Sequence, residues 1–164
     1  MESFDVGLLI LRVVAGTVMV AHGINHGRNL GSTAAWFEKI GFRQARMQAL
    51  MSSGTELAVG AGLISGLLAT PAAAGLVAIM VVAGISNHRK AGFFVFNRPT
   101  EGWEYVMTLT AIGLTIATLG AGEISLDDLF GVDLSGWTGL LVGLGGIVAG
   151  LAQLATFWRP PKED

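Results

Sequence analysis

Four ionisable residues stand inside, or at the edges of, long apolar runs: His22, Glu56, His88 and Glu104. A charged side chain at the centre of a membrane helix costs about 2.5–3.5 kcal/mol to insert, so such residues are kept for a partner or a function. Each belongs to a different run. His22 lies near the end of the first, Glu56 about two turns into the second, His88 at the end of the third, and Glu104 at the start of the fourth. Alternating helix directions bring all four to one end of a bundle, at roughly one depth. Asn25 and Asn87 lie in or beside that layer, Tyr105 follows Glu104, and Thr108 is one turn further on the same face.

A layer of imidazoles and carboxyls can relay protons, hydrogen-bond a quinone headgroup or bind a metal. Two His on facing helices can also ligate a haem, but there is no second pair. Glu56 and His88 are the candidate catalytic residues. His22, Glu104, Tyr105 and Asn25 are candidates for quinone binding or proton relay. No metal-ligand set is assigned, because no spacing within one helix suggests it. Each residue also has a plainer reading. His22 would hydrogen-bond between helices, His88 would sit at the interface, and Glu104 would favour the positive end of a helix. Glu56 resists this, since a carboxyl within a span needs a partner, water or a proton. His26 reads as an exposed loop residue. Arg12 lies about 15 Å from His22 along the helix. It is read as structural, either snorkelling outward or pairing with an acid of the 120–136 segment.

The elements that carry these groups follow from composition. The 164 residues are 52% hydrophobic and 13% charged, with 24 Gly and no Cys. A soluble domain averages about 25% charged residues, so this surface suits lipid rather than water. Without Cys there is no disulfide, thiol centre, iron–sulfur site or Cys-ligated zinc. Ten Lys and Arg against twelve Asp and Glu argue against a nucleic-acid partner. Five runs are long enough to span a bilayer: about 6–24, 49–68, 72–87, 103–119 and 137–158. The first has acids and no Lys or Arg before it, which suits a retained helix rather than a cleaved leader. Thr70 and Pro71 predict a capped helix start in a tight hairpin. Residues 33–40 predict a short helix, lying at the interface or packed on the bundle. Gly54, Ala58, Gly62 and Gly66, and the pairs Gly139 with Gly143 and Gly146 with Gly150, predict close helix packing.

Charge sets the expected orientation. Arg28, Lys39, Arg43 and Arg46 precede the second run, Arg89, Lys90 and Arg98 precede the fourth, and Arg159 and Lys162 follow the fifth. The other end carries Glu2, Asp5, Glu123, Asp127, Asp128 and Asp133. The positive-inside rule then places the N-terminus outside and the C-terminus in the cytoplasm of a bacterial or archaeal inner membrane.

The ordered motifs resemble the DoxX family over about residues 6–128. They are Leu11-Arg12 with Gly16, Ala21-His22-Gly23, Ala35-Trp36-Phe37-Glu38, Gly41-Phe42, and Glu56 with Gly60 and Gly62. They continue with His88, Gly92-Phe93-Phe94, Glu104-Tyr105, Gly120-Ala121-Gly122 and Ser125-Leu126-Asp127. The resemblance implies an all-α, four-helix membrane bundle over 1–128. Residues 129–164 would add the end of an outer loop, a fifth spanning helix and a tail. It also implies a link to quinone-dependent or sulfur- and stress-related oxidoreductase systems, with other membrane subunits as partners. The fifth helix departs from that pattern, as does an acidic Gly-Ala-Gly-Glu-Ile turn. Three roles follow: a redox-linked subunit with quinone as its candidate cofactor, a non-catalytic accessory subunit of a larger complex, or a conduit for protons or small solutes.

Overall fold

A computed structural model describes residues 3–96 and 101–161. Glu2, Arg98 and Lys162 lie outside them. The chain is all helical: α1 Ser3–Arg28, α2 Leu30–Lys39, α3 Ala45–Ser65, α4 Ala69–Ala83, α5 Glu104–Leu119, α6 Leu126–Leu129 and α7 Gly136–Phe157. A π-helical turn, Gly84–His88, extends α4. Five long helices form the bundle, with α1 packed chiefly on α3, and α4 on α5 and α7.

Among the described residues three helices have the length and apolarity of spans: α1, α4 with its π turn, and α7. The apolar α5 has 16 residues, about 24 Å at 1.5 Å per residue. The 21-residue α3 is more polar because Gln48, Ser53 and Glu56 lie on its buried face. This is a polytopic membrane fold that keeps its polar residues inside the bundle.

Small residues decide which faces meet. A side chain at Gly16 would strike the Gly60 carbonyl, and one at Gly60 the Gly16 carbonyl, so α1 and α3 touch backbone to backbone. Ser53 strengthens the contact by donating from Oγ to the Gly23 carbonyl at 2.7 Å. This seam differs from the expected one: Gly54 has open space around it, and Gly66 ends α3 in the left-handed conformation at φ 68. In α7 the expected seam holds and faces inward. Gly139 and Gly143 lie against Ala117 of α5, Gly146 against Ala74 and Gly150 against Ala78 of α4.

Each end of the bundle is tied by specific bonds. At the α3–α4 turn, Leu68 has φ 50, and its N–H and that of Ala69 donate to the Asp127 carboxylate at 2.7 and 2.9 Å. The helix start is therefore capped by Asp127, whereas Thr70 was the expected cap. Thr70 Oγ1 instead donates to the Leu134 carbonyl. Pro71 does lie in the first turn, where its missing N–H costs nothing. Arg12 turns inward, as one of the two expectations had it, but its partners are carbonyls of Leu63, Ala121 and Ile124 rather than carboxylates. Asp5 accepts from the Glu123 N–H at 3.1 Å.

At the other end the tail joins the α2–α3 connection. The Arg43 N–H donates to the Phe157 carbonyl at 2.7 Å, and the Arg159 N–H to the Gly41 carbonyl at 2.9 Å. Trp158 Nε1–H donates to the Ile40 carbonyl at 2.8 Å, so this indole is fastened to protein, while Trp137 is 82% exposed. Beneath them Phe37, Phe42, Ala49 and Leu154 form a small core that packs α2 onto the bundle.

Candidate functional site

The backbone contact between α1 and α3 brings His26 to Glu56. The imidazole Nδ1 lies 2.8 Å from Glu56 Oε2, with the carboxylate side chain only 4% exposed. Ser52, one turn earlier on α3, donates to Glu56 Oε1 at 3.2 Å. The buried carboxyl therefore has a partner on each oxygen, as low-dielectric surroundings demand. His22, one turn before His26, presents its ring 5.9 Å away. On its other side the Tyr105 hydroxyl approaches His22 Nε2 at 3.5 Å. Trp36 of α2 covers His26, with 6.3 Å between ring centroids.

His26 is thus central to the site and belongs to a helix, which corrects the expectation of an exposed loop residue. The sequence signal was the spacing of His22 and His26, four residues apart on one helix face. It was hidden because α1 was expected to stop near Ile24, whereas it runs on to Arg28.

His88 and Glu104 do different work. His88 Nδ1 lies 2.7 Å from the Glu101 carbonyl, and Asn87 Nδ2 is 3.4 Å from His88 Nε2. Glu104 Oε2 accepts from the Val95 N–H at 3.2 Å. Both anchor the connection between the π turn and α5, where Phe93, Phe94 and Trp103 pack edge to face. Asn25 is exposed, and its carbonyl and side-chain oxygens accept from Asn29. Thr108 Oγ1 donates back to the Glu104 carbonyl. Of the expected layer, then, His22, Glu56 and Tyr105 gather around His26, while His88, Glu104 and Asn25 hold other structure.

Beside Glu56 a cavity of about 160 Å³ opens between α3 and α4 under α2. His26 and Glu56 form its ionisable wall. Trp36, Phe37, Ile79 and Val82 supply apolar walls, and Ser86 of the π turn and Gln153 of α7 supply further polar groups. The wider π turn ends the regular α4 ladder where Ser86 reaches the cavity, and π turns of this kind recur at functional sites. Gln153 is positioned by the hydrogen bond its Nε2 donates to Gln48 Oε1 at 2.9 Å. The arrangement can hold a proton on a half-buried acid–base pair next to space for a small ring, since a cavity of about 150 Å³ admits benzene. Among the described residues no group of three or more His, Asp or Glu is placed so that it could hold a metal ion.

An all-helical bundle with its polar residues turned inward, and an imidazole–carboxylate pair beside an apolar cavity, define a multi-pass membrane protein with an internal polar site. By sequence the chain belongs to the DoxX family, which matches residues 7–89. The match spans α1 to the π turn, so it includes His22, His26 and Glu56 but not Tyr105 or Gln153. A relative from Bacillus subtilis (strain 168), named "Putative oxidoreductase CatD", is 28% identical over 126 residues, covering 77% of this chain and 88% of that protein. No solved structure matches the chain significantly.

Proposed function

We propose that this chain is a membrane subunit of an oxidoreductase system and that the cavity beside His26 and Glu56 receives a quinone-type ring. The observation that carries this reading is the 2.8 Å His26–Glu56 pair, its carboxylate buried, on the wall of a cavity the size of one aromatic ring. Reduction of a quinone to a quinol takes two electrons and two protons. Glu56 and His26 would pass one proton to one ring oxygen, His22 with Tyr105 would carry replacement protons to the pair, and the second proton would reach the other ring oxygen from water. The electrons would come from a redox group on a partner subunit. The name of the Bacillus relative supports an oxidoreductase link. The segregation of basic residues supports an orientation with α2 and the tail at the cytoplasmic face of an inner membrane.

The test is equilibrium binding of a tail-less benzoquinone to the purified protein in nanodiscs, followed by quenching of tryptophan fluorescence, since Trp36 lines the cavity. A hydrogen bond to a charged group contributes about 1.5–3 kcal/mol, so Glu56→Gln and His26→Ala should each weaken binding by roughly tenfold to a hundredfold. Unchanged affinity in both variants, with folding intact by circular dichroism, overturns the reading. Failure of the native protein to bind, together with co-purification of partners that tolerates Glu56→Gln, would replace it with an accessory role.

A further inference from the structure

The cavity beside Glu56 does not end at the polar pair. Thr55 and Gly75 line it, and they also line a second depression that continues along the α3–α4 cleft past Ala58, Ala61, Gly62 and Ala72 toward the hairpin. The cleft stays open because α3 packs more extensively on α1 than on α4, and because the side chains along it are small. No charged side chain lines this second stretch. Thr55, Ala58 and Ala61 are exposed in the second half of α3. At that depth in a membrane bundle, exposure means contact with lipid tails. From Thr55 to Ser65 the groove follows α3 for about 15 Å.

An apolar cleft alone would accept any acyl chain. This one shares two residues with a cavity walled by an acid–base pair whose carboxylate is buried. A molecule filling both has a small polar ring at one end and a long hydrocarbon tail at the other. We propose that the groove is a tail subsite, and that the ligand is a membrane-borne, long-tailed ring compound entering sideways from the bilayer rather than a water-soluble ring. Its head would lie in the half of the bundle nearest α2, and its tail would run toward the α3–α4 turn. The proposal rests on the ring-site reading above. Because lipid is as apolar as the groove, the preference for a tail comes from packing rather than from escape from water.

The experiment compares a tail-less benzoquinone with the same ring bearing a decyl tail, both referred to their concentrations in nanodiscs of one lipid composition. The native protein should bind the tailed ring about fivefold more tightly or better. Ala58→Phe fills the groove from an exposed position, and it should remove that preference while leaving the tail-less ring unaffected. Ala61→Phe serves the same purpose if the first variant misfolds. Equal binding of the two rings by the native protein, or a tail preference that survives both substitutions, overturns the tail subsite alone. So does a phospholipid that stays in the groove and is not displaced by the tailed ring. If neither ring binds the native protein, the ring-site reading fails as well.

Discussion

At the scale of single residues, two charges close the end of the bundle away from α2. Arg12 is 1% exposed and gives its donors to three carbonyls, one of them in the last turn of α3, where helix carbonyls have no partner of their own. Asp127 is 4% exposed and takes the first free N–H groups of α4. A cation at a helix C-terminus and an anion at a helix N-terminus each also complement the helix dipole. Asp127→Ala should cost about 1–2 kcal/mol, the usual loss of an N-cap, and lower the unfolding midpoint in detergent by about 2–8 °C. An unchanged midpoint would show that the cap contributes nothing. Arg12→Lys should also destabilise, because one ammonium cannot replace a planar fork shared among three acceptors. The sequence made part of this legible. One of the two expectations for Arg12 turned it toward the acidic loop, but its bonds to carbonyls could not be read, since backbone acceptors carry no residue signature. Glu56 was legible because a carboxyl in an apolar run needs a partner. Its partner was missed because the end of α1 was placed one turn too early.

Among the helices, glycine spacing announced close packing but not its direction. The seam in α7 could have faced a partner protein, yet Gly146 and Gly150 lie on the carbonyls of Ala74 and Ala78. This helix carries Gln153 to the cavity, so its docking matters to the site as well as to stability. Two neighbouring glycines separate the effects. Gly146→Leu drives a side chain into the α4 backbone, whereas at Gly145 an added Cβ meets nothing within 4 Å. Gly146→Leu should detach α7, seen as rapid proteolysis between α6 and α7 and a loss of folded monomer on size exclusion. Gly145→Leu should behave like the native chain. Equal tolerance of both would mean that α7 does not depend on this seam. In α3 the four-residue repeat of small residues misled, because Ser53 and Gly60 make the contact with α1 while Gly54 and Ala58 face outward. Periodicity identifies a face only when one face is small, and α3 is small on two.

For the molecule as a whole, charge divides by end. Arg28, Lys39, Arg43 and Arg46 lie around α2. The bonds of Arg43 to Phe157 and of Arg159 to Gly41, and the Arg89 guanidinium 5.7 Å from the Trp158 ring, put the other basic segments at the same end. Asp5, Glu123, Asp127 and Asp128 sit around Arg12 at the far end, joined there by Asp5 to Glu123 and Asp127 to Ala69. This division was legible in the sequence because charge in the connections depends only on where the apolar runs fall. If the basic end faces the cytoplasm, as the positive-inside rule requires, the acidic end faces out. The chain contains no Cys, so a single engineered thiol reports its side of the membrane without background. Asp128 and Glu38 are both exposed and lie at opposite ends. In intact cells a membrane-impermeant maleimide should label Asp128→Cys and leave Glu38→Cys untouched, and inverted vesicles should exchange the two results. The reverse pattern would put the tail outside. It would also move the mouth of the Glu56 cavity to the outer half of the bilayer, so that any electron donor would have to reach the chain from that side.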